Sequence, residues 1–456
     1  MKAADVIVVG GGSAGVMAAL ASARTGARTI LVEKSSFLGG TNTLSLVGPL
    51  VPFLGKDRQR IVGGIPHEVI ETLRVNKDSF GHISDPIGFS SSLTPVNFTA
   101  LKLELARQAA KQDHLDVLFE TSFLSASEKD GYLTSIQVLY RDGTEDCLKA
   151  KVFIDATGDA LLTSSVSDEV ELGREADHKC QPMSMIFSLG NVDLERVRDD
   201  VQHNPKDFVL SENLASGERM GYVAVSGYFN AVSASSDFPI ARDRLLFFQG
   251  LNSNEVFMNT TRLLNYNSLS SDDFSKATQE AIRQVHDLHD WLKREIDAFK
   301  KSTIREIGKL GIRESRRIIG RKRLETTDIM HGLKQQHPIA IGSYPIDIHS
   351  PDGSSMNEET NRVYNDYEID VAMTQLKSIH NLMVAGRIIS ATHEASASSR
   401  VSATCMAVGQ SVGIIAAVTA LDERLPDVAK VDYSRFRKIS DRFGAIVSLE
   451  QRVPLK

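Results

Sequence analysis

The sequence contains little cysteine. Three cysteines, Cys147, Cys180 and Cys405, occur among 456 residues, and no two of them form a CxxC pair. Iron–sulfur clusters and structural zinc sites need closely spaced cysteines, and a disulfide framework needs several pairs. This scarcity argues against all three, and we expect no metal site.

Long apolar runs are also missing. Hydrophobic residues make up 42% of the chain, but polar residues and glycines interrupt every run before the roughly 18 residues that a membrane-spanning helix requires. The first strand is expected to begin near Ala4, which leaves no room ahead of it for a signal peptide. We therefore expect a cytoplasmic protein without a membrane span.

An excess of basic charge is absent as well. Acidic residues outnumber basic ones, and the formal net charge is −6. Binding to nucleic acid through phosphate contacts requires clustered positive charge, so we predict no nucleic-acid partner. The length suits two domains, one of them split by the insertion of the other.

A nucleotide-binding pattern stands at the start of the chain. The apolar run Val6 to Val9 predicts a strand buried on both faces, and the turn Gly10 to Gly15 and a helix of small residues follow it. Gly10 permits the tight turn, Gly12 lets the backbone approach a pyrophosphate, and Gly15 lets the helix pack close to the strand. This order predicts dinucleotide binding rather than a turn without a ligand.

The next strand supplies an acid where a ribose is expected. Thr29 to Val32 is predicted as the second strand, and it ends in Glu33, whose carboxylate suits the ribose hydroxyls of an adenosine. Beyond it, Gly40 and Thr41 offer a backbone N–H group and a hydroxyl. We interpret this pair as a second pyrophosphate contact, with a surface turn as the alternative.

The following segment returns to the same sheet. Helices are predicted for Pro66 to Arg74 and for Thr99 to Lys111. Tight turns separate the alternating runs Leu133 to Tyr140 and Cys147 to Phe153, which indicates an antiparallel meander. The meander closes on Val152 to Asp159, a buried run that is expected to lie beside the first strand.

Residues 160–344 have a different character. Strands and loops precede an apolar stripe that predicts a helix from about Asp272 to Ser302. His286 and His289 on it have metal-ligand spacing, but without a third ligand we interpret them as ordinary histidines. Gly311 to Arg323 is rich in arginine and predicts a helix that presents some of them to an anion. A nucleic-acid patch and a solvated face are the alternatives.

The C-terminal part supplies further core elements. Asn381 to Arg387 is predicted as a short buried strand, and Ala403 to Leu421 as an apolar helix. Between them, Ser390 to Arg400 is small and polar, with no structural pattern of its own. A loop between a core strand and a core helix is a frequent place for function.

Together these motifs resemble a bacterial family of FAD-dependent oxidoreductases, distantly similar to the flavoprotein subunits of fumarate reductase and succinate dehydrogenase. The resemblance implies an α/β fold. A Rossmann-like FAD-binding domain, with a mixed parallel sheet, helices and an antiparallel meander, would carry an inserted α+β cap domain. The segments that carry the likeness are Gly10 to Gly15, Glu33, Gly39 to Thr41, Asp155 to Asp159, Gly311 to Gly320 and Val384 to Gly413.

The resemblance also implies a division of the chain. Residues 1–160 and 345–430 would form the FAD-binding domain, residues 161–344 the cap, and residues 431–456 a C-terminal tail. The last helix would point its N-terminus, near Ser402 to Thr404, at the flavin N1–C2=O edge and stabilise the reduced ring. The residues implied to bind FAD are Gly10, Gly12, Ser13, Ala14, Gly15, Glu33, Lys34, Gly40, Thr41, Phe123, Ala156, Thr157, Gly158, Gly386, Arg387, Ala403 and Thr404.

Catalytic candidates follow from the same resemblance. In relatives of the fumarate reductase kind, an arginine in the late segment binds a substrate carboxylate, and a histidine precedes that region. By position these are Arg400 and His349. His393 and Arg313 are further candidates. Arg387 stands where those relatives carry a glutamate.

The expected function is hydride transfer between a small anionic substrate and flavin N5, with cationic side chains holding the substrate. FAD is expected to be non-covalent, because Asn42-Thr43 replaces the His-Thr pair that some relatives use for attachment. Without a second nucleotide motif, electrons would pass to or from an external partner. The alternatives are an amine or alcohol oxidase with His349 or His393 as base, and a non-catalytic FAD-binding redox module.

Overall fold

The computed structural model describes residues 2–351, 364–422, 424 and 426–454. Within this part of the chain the strands are Lys2–Ala3, Val6–Val9, Thr29–Val32, Leu115–Leu118, Ser122–Lys129, Tyr132–Leu139, Glu145–Lys149, Val152–Asp155, Val170–Leu172, Phe187–Gly190, Ala224–Gly227, Leu245–Gln249, Val256–Met258, Thr303–Ile307, Arg316–Ile318, Pro338–Gly342, Tyr367–Asp370 and Leu382–Val384. The α-helices are Ser13–Arg24, Thr41–Leu44, Ile65–Val75, Phe98–Ala110, Leu161–Ser164, Leu194–His203, Glu212–Ala215, Phe229–Ala234, Ser271–Glu295, Thr326–His331, His393–Ser399, Ser402–Ala420 and Tyr433–Arg442.

Five parallel strands form the central sheet. The inner strands are buried along their whole length, as their continuous apolar sequence predicts. Because all five run in one direction, their carboxyl ends meet at one edge, which is where such sheets bind ligands. The strand order is Leu382–Val384, Val152–Asp155, Val6–Val9, Thr29–Val32 and Leu115–Leu118.

Two core helices pack against each other beside this sheet. The helix after the first strand, Ser13–Arg24, lies along the C-terminal core helix, Ser402–Ala420. Gly409 and Gly413 allow the approach, because a Cβ atom at either would lie 2.1 Å from a carbonyl oxygen of the other helix. The C-terminal core helix is long and apolar enough to cross a membrane, yet it is fully buried in the protein, which makes it part of the core.

An antiparallel meander follows Leu115–Leu118, the third strand of the central sheet in chain order. Three strands between Ser122 and Lys149 pair in chain order, as predicted. The run Cys147 to Phe153, however, is not one strand. It is divided between two sheets, because the chain turns at Ala150 and Lys151 and passes from the meander into the central sheet.

A five-stranded antiparallel sheet forms the second unit, in the order Ala224–Gly227, Leu245–Gln249, Val256–Met258, Phe187–Gly190 and Thr303–Ile307. The helix Ser271–Glu295 shares its buried apolar cluster, to which Trp291 belongs. The predicted helix end at Ser302 is wrong. The chain is already extended at Ile296 (φ −120°, ψ 114°), and a 3₁₀ turn, Asp297–Phe299, follows.

The two histidines of this helix do not form a metal site. The side chain of His286 is 72% exposed and faces Asp287 and Asp290. The Nε2 atom of His289 lies 3.2 Å from the carbonyl oxygen of Ser302. Across the described residues, no group of three or more His, Cys, Asp or Glu side chains is placed to hold a metal ion.

The arginine-rich segment Gly311 to Arg323 is not the helix that was predicted. Arg316–Ile318 is a strand that pairs antiparallel with Val170–Leu172. Pairing with a distant strand and burial of Arg317 and Ile318 outweigh the local preference for helix. The arginines of this segment therefore point to different surroundings rather than along one helix face.

The segment Ser390 to Arg400 is not a plain loop. Residues His393–Ser399 form a short helix, and the hydroxyl of Thr392 caps it by accepting a hydrogen bond of 3.1 Å from the Ala395 N–H group. Small residues such as those at 395–399 fit a helix that is buried on nearly all sides. The small and polar residues of this segment show no apolar periodicity, so the sequence did not predict the short helix.

The buried apolar side chains form two large clusters. One contains the central sheet, the meander and the C-terminal core helix, and it also includes Ile318 and Ile341. The other runs from Met183 to Leu310. The second cluster thus covers less of the chain than the predicted cap, 161–344. The assignment of these units as domains stays a prediction.

Candidate active site

A cavity of about 1220 Å³ lies where the central sheet meets the antiparallel sheet. Its lining includes Gly10 and Glu33, which follow two strands of the central sheet, and Leu246 and Phe248 from the antiparallel sheet. Ligand cavities commonly hold roughly 300–1,000 Å³. This one has room for a dinucleotide together with a second small molecule.

The glycine turn presents its backbone to this cavity. Gly10 has a φ of +100°, and a Cβ atom there would lie 2.5 Å from the carbonyl oxygen of Ala156. A Cβ atom on Gly12 would meet nothing within 4 Å, although Gly12 lines the cavity. The open space beside Gly12 and the start of the helix Ser13–Arg24 form a cradle that favours an anion. Gly15 lies behind the turn, where a Cβ atom would lie 1.8 Å from the carbonyl oxygen of Gly10.

Glu33 lines the cavity and also braces the turn. Its Oε2 atom accepts a hydrogen bond of 2.6 Å from the Gly11 N–H group. Its Oε1 atom accepts hydrogen bonds from the N–H group (2.8 Å) and the hydroxyl (2.6 Å) of Ser35. A carboxylate has about four acceptor positions, so one remains for a ribose hydroxyl.

Asn42 connects the starts of the two core helices. Its Oδ1 atom accepts a hydrogen bond from the Ser13 hydroxyl, and its Nδ2 atom donates one of 2.7 Å to the Ser402 hydroxyl. Gly40 and Thr41, just before it, line the cavity. Gly40 therefore lies against the glycine turn, where a Cβ atom on it would be 2.8 Å from the Cα atom of Gly12.

Most residues implied to bind FAD line this cavity. Those that do are Gly10, Gly12, Ser13, Ala14, Glu33, Lys34, Gly40, Thr41, Phe123, Ala156, Thr157, Gly158, Gly386 and Arg387. Gly15, Ala403 and Thr404 do not. Near the last two, the cavity is lined by Val401, which directly precedes the C-terminal core helix, and by Ser402 and Cys405 of that helix. Their roles in binding stay predictions.

Arg387 offers a donor on the same side. Its Nη2 atom lies 2.8 Å from Asp159 Oδ1, and the guanidinium packs over Gly158. Its Nε atom is buried without a partner among the described residues. An unpaired buried donor costs about 1–3 kcal/mol, so a bound group that accepts from it would be stabilised. The cradle at Gly12, the spare acceptor on Glu33 and this donor fit FAD, and we call them the FAD wall.

His349 and Asp347 form a pair in the same cavity. His349 Nε2 lies 3.4 Å from Asp347 Oδ2. Burial lowers the pKa of His349 to about 4, although Asp347 opposes the shift. Burial disfavours ionisation of Asp347, but His349, Arg400 and Arg313 outweigh it and hold the pKa of Asp347 below its usual range. At neutral pH the imidazole is therefore uncharged, with Nε2–H directed to Asp347 and Nδ1 able to accept a proton.

Four arginines line the cavity around this pair, and we call them the arginine wall: Arg242, Arg262, Arg313 and Arg400. Burial and the guanidiniums of Arg400 and Arg242 lower the pKa of Arg313 to about 9. Burial and Arg262 likewise lower the pKa of Arg242 to about 10. Shifts of this kind mean that positive charges lie close together in a poorly solvated place.

Gln181 positions two members of this site. Its Oε1 atom accepts hydrogen bonds of 3.3 Å from Arg400 Nη2 and from the His349 N–H group. Its own N–H group donates to Glu314 Oε2 at 3.0 Å. Gln181 is only 2% exposed. It does not line the cavity, so it lies behind Arg400 and His349 and contacts the site through them.

His393 lies apart from the other catalytic candidates, because the short helix that begins with it turns its side chain away from the cavity. Its Nδ1 atom donates a hydrogen bond of 2.8 Å to Glu314 Oε1, which also pairs with Arg317. All three side chains are almost completely buried. His393 does not line the cavity, and with Glu314 it lies behind Gln181. Its catalytic role stays a prediction.

The sequence reasoning missed Arg242, Arg262, Asp347 and Gln181. The two arginines stand in loops beside strands of the antiparallel sheet, where isolated arginines show no spacing signal. Asp347 precedes the predicted His349 by two positions, and that proximity was a usable signal. Nothing in the sequence around Gln181 indicates its contacts, which all come from distant segments.

The fold and this site define a Rossmann-type flavoprotein. A model of the family described as FAD dependent oxidoreductase matches residues 5–439. The chain belongs to that family, and it is an enzyme with FAD as its cofactor. No curated relative matches the sequence.

Several solved flavoenzymes are similar in structure at low identity. A geranylgeranyl bacteriochlorophyll reductase-like protein from Thermoplasma acidophilum has 12% identity and a TM-score of 0.44, over 97% of this chain and 85% of that one. The flavin-dependent brominase Bmp2 has 11% identity and a TM-score of 0.45, over 97% and 84%. The p-nitrophenol 4-monooxygenase PnpA from Pseudomonas putida DLL-E4 has 12% identity and a TM-score of 0.38, over 71% of this chain and 70% of that one. None of these three is a fumarate reductase subunit, and likeness at this level says nothing about substrate.

Proposed function

We propose that this enzyme transfers a hydride between a small anionic organic substrate and flavin N5. The observation that carries the proposal is that the arginine wall and His349 line the same cavity as the glycine turn. A molecule held by the guanidiniums would share the cavity with the residues of the FAD wall. FAD, when bound, supplies the two-electron acceptor or donor.

Arg313 and Arg400 are proposed to bind a substrate carboxylate. The planar fork of a guanidinium can donate two parallel hydrogen bonds to a carboxylate. Arg313 Nη1 donates to the Pro182 carbonyl oxygen at 2.7 Å, which leaves its other donors available. The Arg400 Nε atom is buried without a partner among the described residues. A bound carboxylate would supply the acceptor that these donors lack.

His349 is proposed to exchange a proton with the substrate. Asp347 orients the imidazole, so that Nδ1 is the atom able to accept a proton. Arg313 and Arg242 contribute to the lowered pKa of His349. An anionic substrate would offset those charges and raise the pKa of His349 toward its ordinary value of about 6.5. The base would therefore become stronger when the substrate is bound.

The uncharged imidazole also favours a second candidate function, oxidation of an alcohol or amine, because a neutral base can accept a proton from either group. The two functions differ in the need for an anionic group. The non-catalytic alternative is excluded by membership in an enzyme family. Non-covalent FAD, an external electron acceptor or donor and a cytoplasmic location stay predictions.

The test is an anaerobic titration of the FAD-loaded protein. We expect hydroxy acids and amino acids to bleach the flavin absorbance, or unsaturated acids to reoxidise the reduced flavin. The corresponding amides and esters, which lack the negative charge, should fail. Equal bleaching by uncharged alcohols or amines would select the second candidate and overturn the proposal of an anionic substrate. Heat denaturation of the same sample should release FAD.

A further inference from the structure

The arginine wall carries more positive charge than its carboxylates balance, counted over the described residues. Asp347 is the one carboxylate that forms an ion pair with the wall, at 3.7 Å from Arg400 Nη2, and it also contacts His349. Asp243 lines the same cavity, but Arg244 holds both of its oxygens, at 2.8 and 2.9 Å. The four guanidiniums of the wall carry four positive charges, and the carboxylate of Asp347 balances one of them. Three positive charges therefore remain unbalanced.

Arg242 and Arg262 have neutral hydrogen-bond partners. Arg242 Nη1 donates to the carbonyl oxygens of Asn259 (2.8 Å) and Thr260 (3.5 Å). Arg262 Nη2 donates to the Ser350 carbonyl oxygen (3.4 Å). Within the described part of the chain, neither arginine forms an ion pair with a carboxylate. Arg262 is 9% exposed, and its Nε atom is buried without a partner there.

A buried charge without a counter-ion is unfavourable, and an anion that reaches it is bound strongly. A ligand with one carboxylate would neutralise only part of the excess. If that carboxylate lies against Arg313 and Arg400, beside the proton acceptor, the charges of Arg242 and Arg262 remain. A second anionic group on the same ligand would meet them and the free donor on Arg262.

We propose that Arg242 and Arg262 form a second anion subsite, so that the substrate carries another anionic group besides the carboxylate at Arg313 and Arg400. That group is a carboxylate or a phosphate, since both accept paired hydrogen bonds from guanidiniums. The inference rests on the proposed function, because it takes this cavity as the substrate site.

Equilibrium binding to the FAD-loaded protein tests the inference without turnover. The probes are butyrate, succinate and phosphoglycolate, titrated by calorimetry at one fixed ionic strength. We expect succinate or phosphoglycolate to bind about tenfold or more tightly than butyrate, because a charge-assisted pair is gained. Which of the two binds more tightly distinguishes a carboxylate from a phosphate at the subsite.

The double variant Arg242→Gln with Arg262→Gln should abolish that preference, while its affinity for butyrate falls by a clearly smaller factor than its affinity for succinate. Arg219→Gln is the matched control, since its side chain is 50% exposed on the same unit and pairs with Glu195 and Asp199. Arg262→Lys keeps the charge and should keep part of the preference. It preserves the test if the double variant fails to fold.

Equal affinity for the three probes would overturn the second subsite. A loss of the same factor for butyrate and for succinate in the double variant would overturn it too, as would loss of FAD, which would assign these arginines to the cofactor. If monocarboxylates bleach the flavin while succinate and phosphoglycolate gain nothing, the proposed function stands and only the subsite fails. If none of the probes binds, both fail.

Discussion

The two walls of the cavity are built in different ways. The FAD wall centres on a backbone cradle of a few consecutive residues around Gly12, and its acid Glu33 is held by three hydrogen bonds. The arginine wall is made of side chains from four distant points of the chain, and two of its Nε atoms have no partner among the described residues. A backbone cradle suits a ligand that never changes, whereas side chains can be exchanged as the substrate changes.

The two walls also differ in how far their charges are balanced by ion pairs within the protein. Arg387 on the FAD wall is paired with Asp159 at 2.8 Å. The arginine wall shares Asp347 among several guanidiniums, and burial with mutual repulsion lowers the pKa of Arg313 to about 9. The FAD wall is therefore close to electrical balance without its ligand, whereas the arginine wall carries an excess of positive charge. Changes to the two walls should therefore separate cofactor retention from substrate binding.

The largest effect is expected from Gly12→Val. The new side chain would fill the cradle, which is open in the wild type, so the purified protein should retain almost no FAD. The measurement is the ratio of flavin to protein absorbance. Gly221→Val is the control, because a Cβ atom there also meets nothing within 4 Å and Gly221 does not line the cavity. Full FAD occupancy in Gly12→Val would remove the glycine turn from the FAD wall.

Arg400→Lys should weaken substrate binding by the arginine wall. A lysine keeps the charge but loses the bidentate fork, so we expect catalytic efficiency to fall by about tenfold to a hundredfold, equal to the loss of about 1.5–3 kcal/mol of a charge-assisted hydrogen bond. FAD occupancy should stay at the wild-type level. Once a substrate is identified, steady-state kinetics measure the catalytic efficiency, and the ratio of flavin to protein absorbance measures the FAD occupancy. Normal turnover, or loss of flavin with unfolding, would make Arg400 a structural residue.

His349 should make the stability of the protein depend on pH. The folded pKa of about 4 lies below the ordinary value of about 6.5, so between these values the unfolded chain binds the proton more readily. Stability should therefore be complete above pH 6.5 and decrease as the pH falls toward 4, by an amount on the order of 2 kcal/mol from this group. Urea midpoints of the FAD-saturated protein at pH 7.5 and 5.0 measure the decrease.

The comparison variant for that experiment is His349→Gln, which cannot take up a proton. Its midpoint should fall less between the two pH values than that of the wild type. The partly buried histidines His67 and His82 also have lowered pKa values, about 4 and about 3, and both proteins share their contribution. Identical pH dependence in the two proteins would mean that His349 is not held neutral.

The smallest effect is expected from Gln181→Met. The variant removes the acceptor that Arg400 shares with the His349 N–H group, while the hydrogen bond of 3.2 Å from Arg400 Nη2 to the Asp347 carbonyl oxygen remains. KM should therefore rise about fivefold while kcat changes little. Gln181→Glu restores an acceptor and should recover most of the affinity. FAD content serves as the folding control. A fall in kcat with unchanged KM would contradict a role in positioning Arg400 for binding.

Much of the FAD wall could be predicted because its pattern is local. Strand, glycine turn, helix and acid follow one another within a few dozen residues, and each has a conformational or packing reason that single residues reveal. The strand Val6–Val9 and the helix Ser13–Arg24 appear where the pattern placed them. The same holds for the C-terminal core helix. A helix of this length and apolar composition must lie either in a protein core or in a membrane.

The sequence was least informative where distant contacts overrule local preference. The arginine-rich segment from Gly311 forms a strand because Val170–Leu172 lies beside it. His393 was placed near the substrate by its position in the chain, but Glu314 draws it into a buried network. In both cases the deciding partner lies at least about 70 residues away, beyond the reach of any periodicity.

The sequence by itself determined the fold class and the cofactor, because the central sheet and the glycine turn depend on contiguous residues with narrow backbone and packing demands. Only the tertiary structure decided the composition of the arginine wall. Arg242, Arg262 and Gln181 come together because strands and loops from separate parts of the chain converge on one cavity. A charge in a loop shows no function until its neighbours and its burial are known, since these set both its pKa and its unpaired donors.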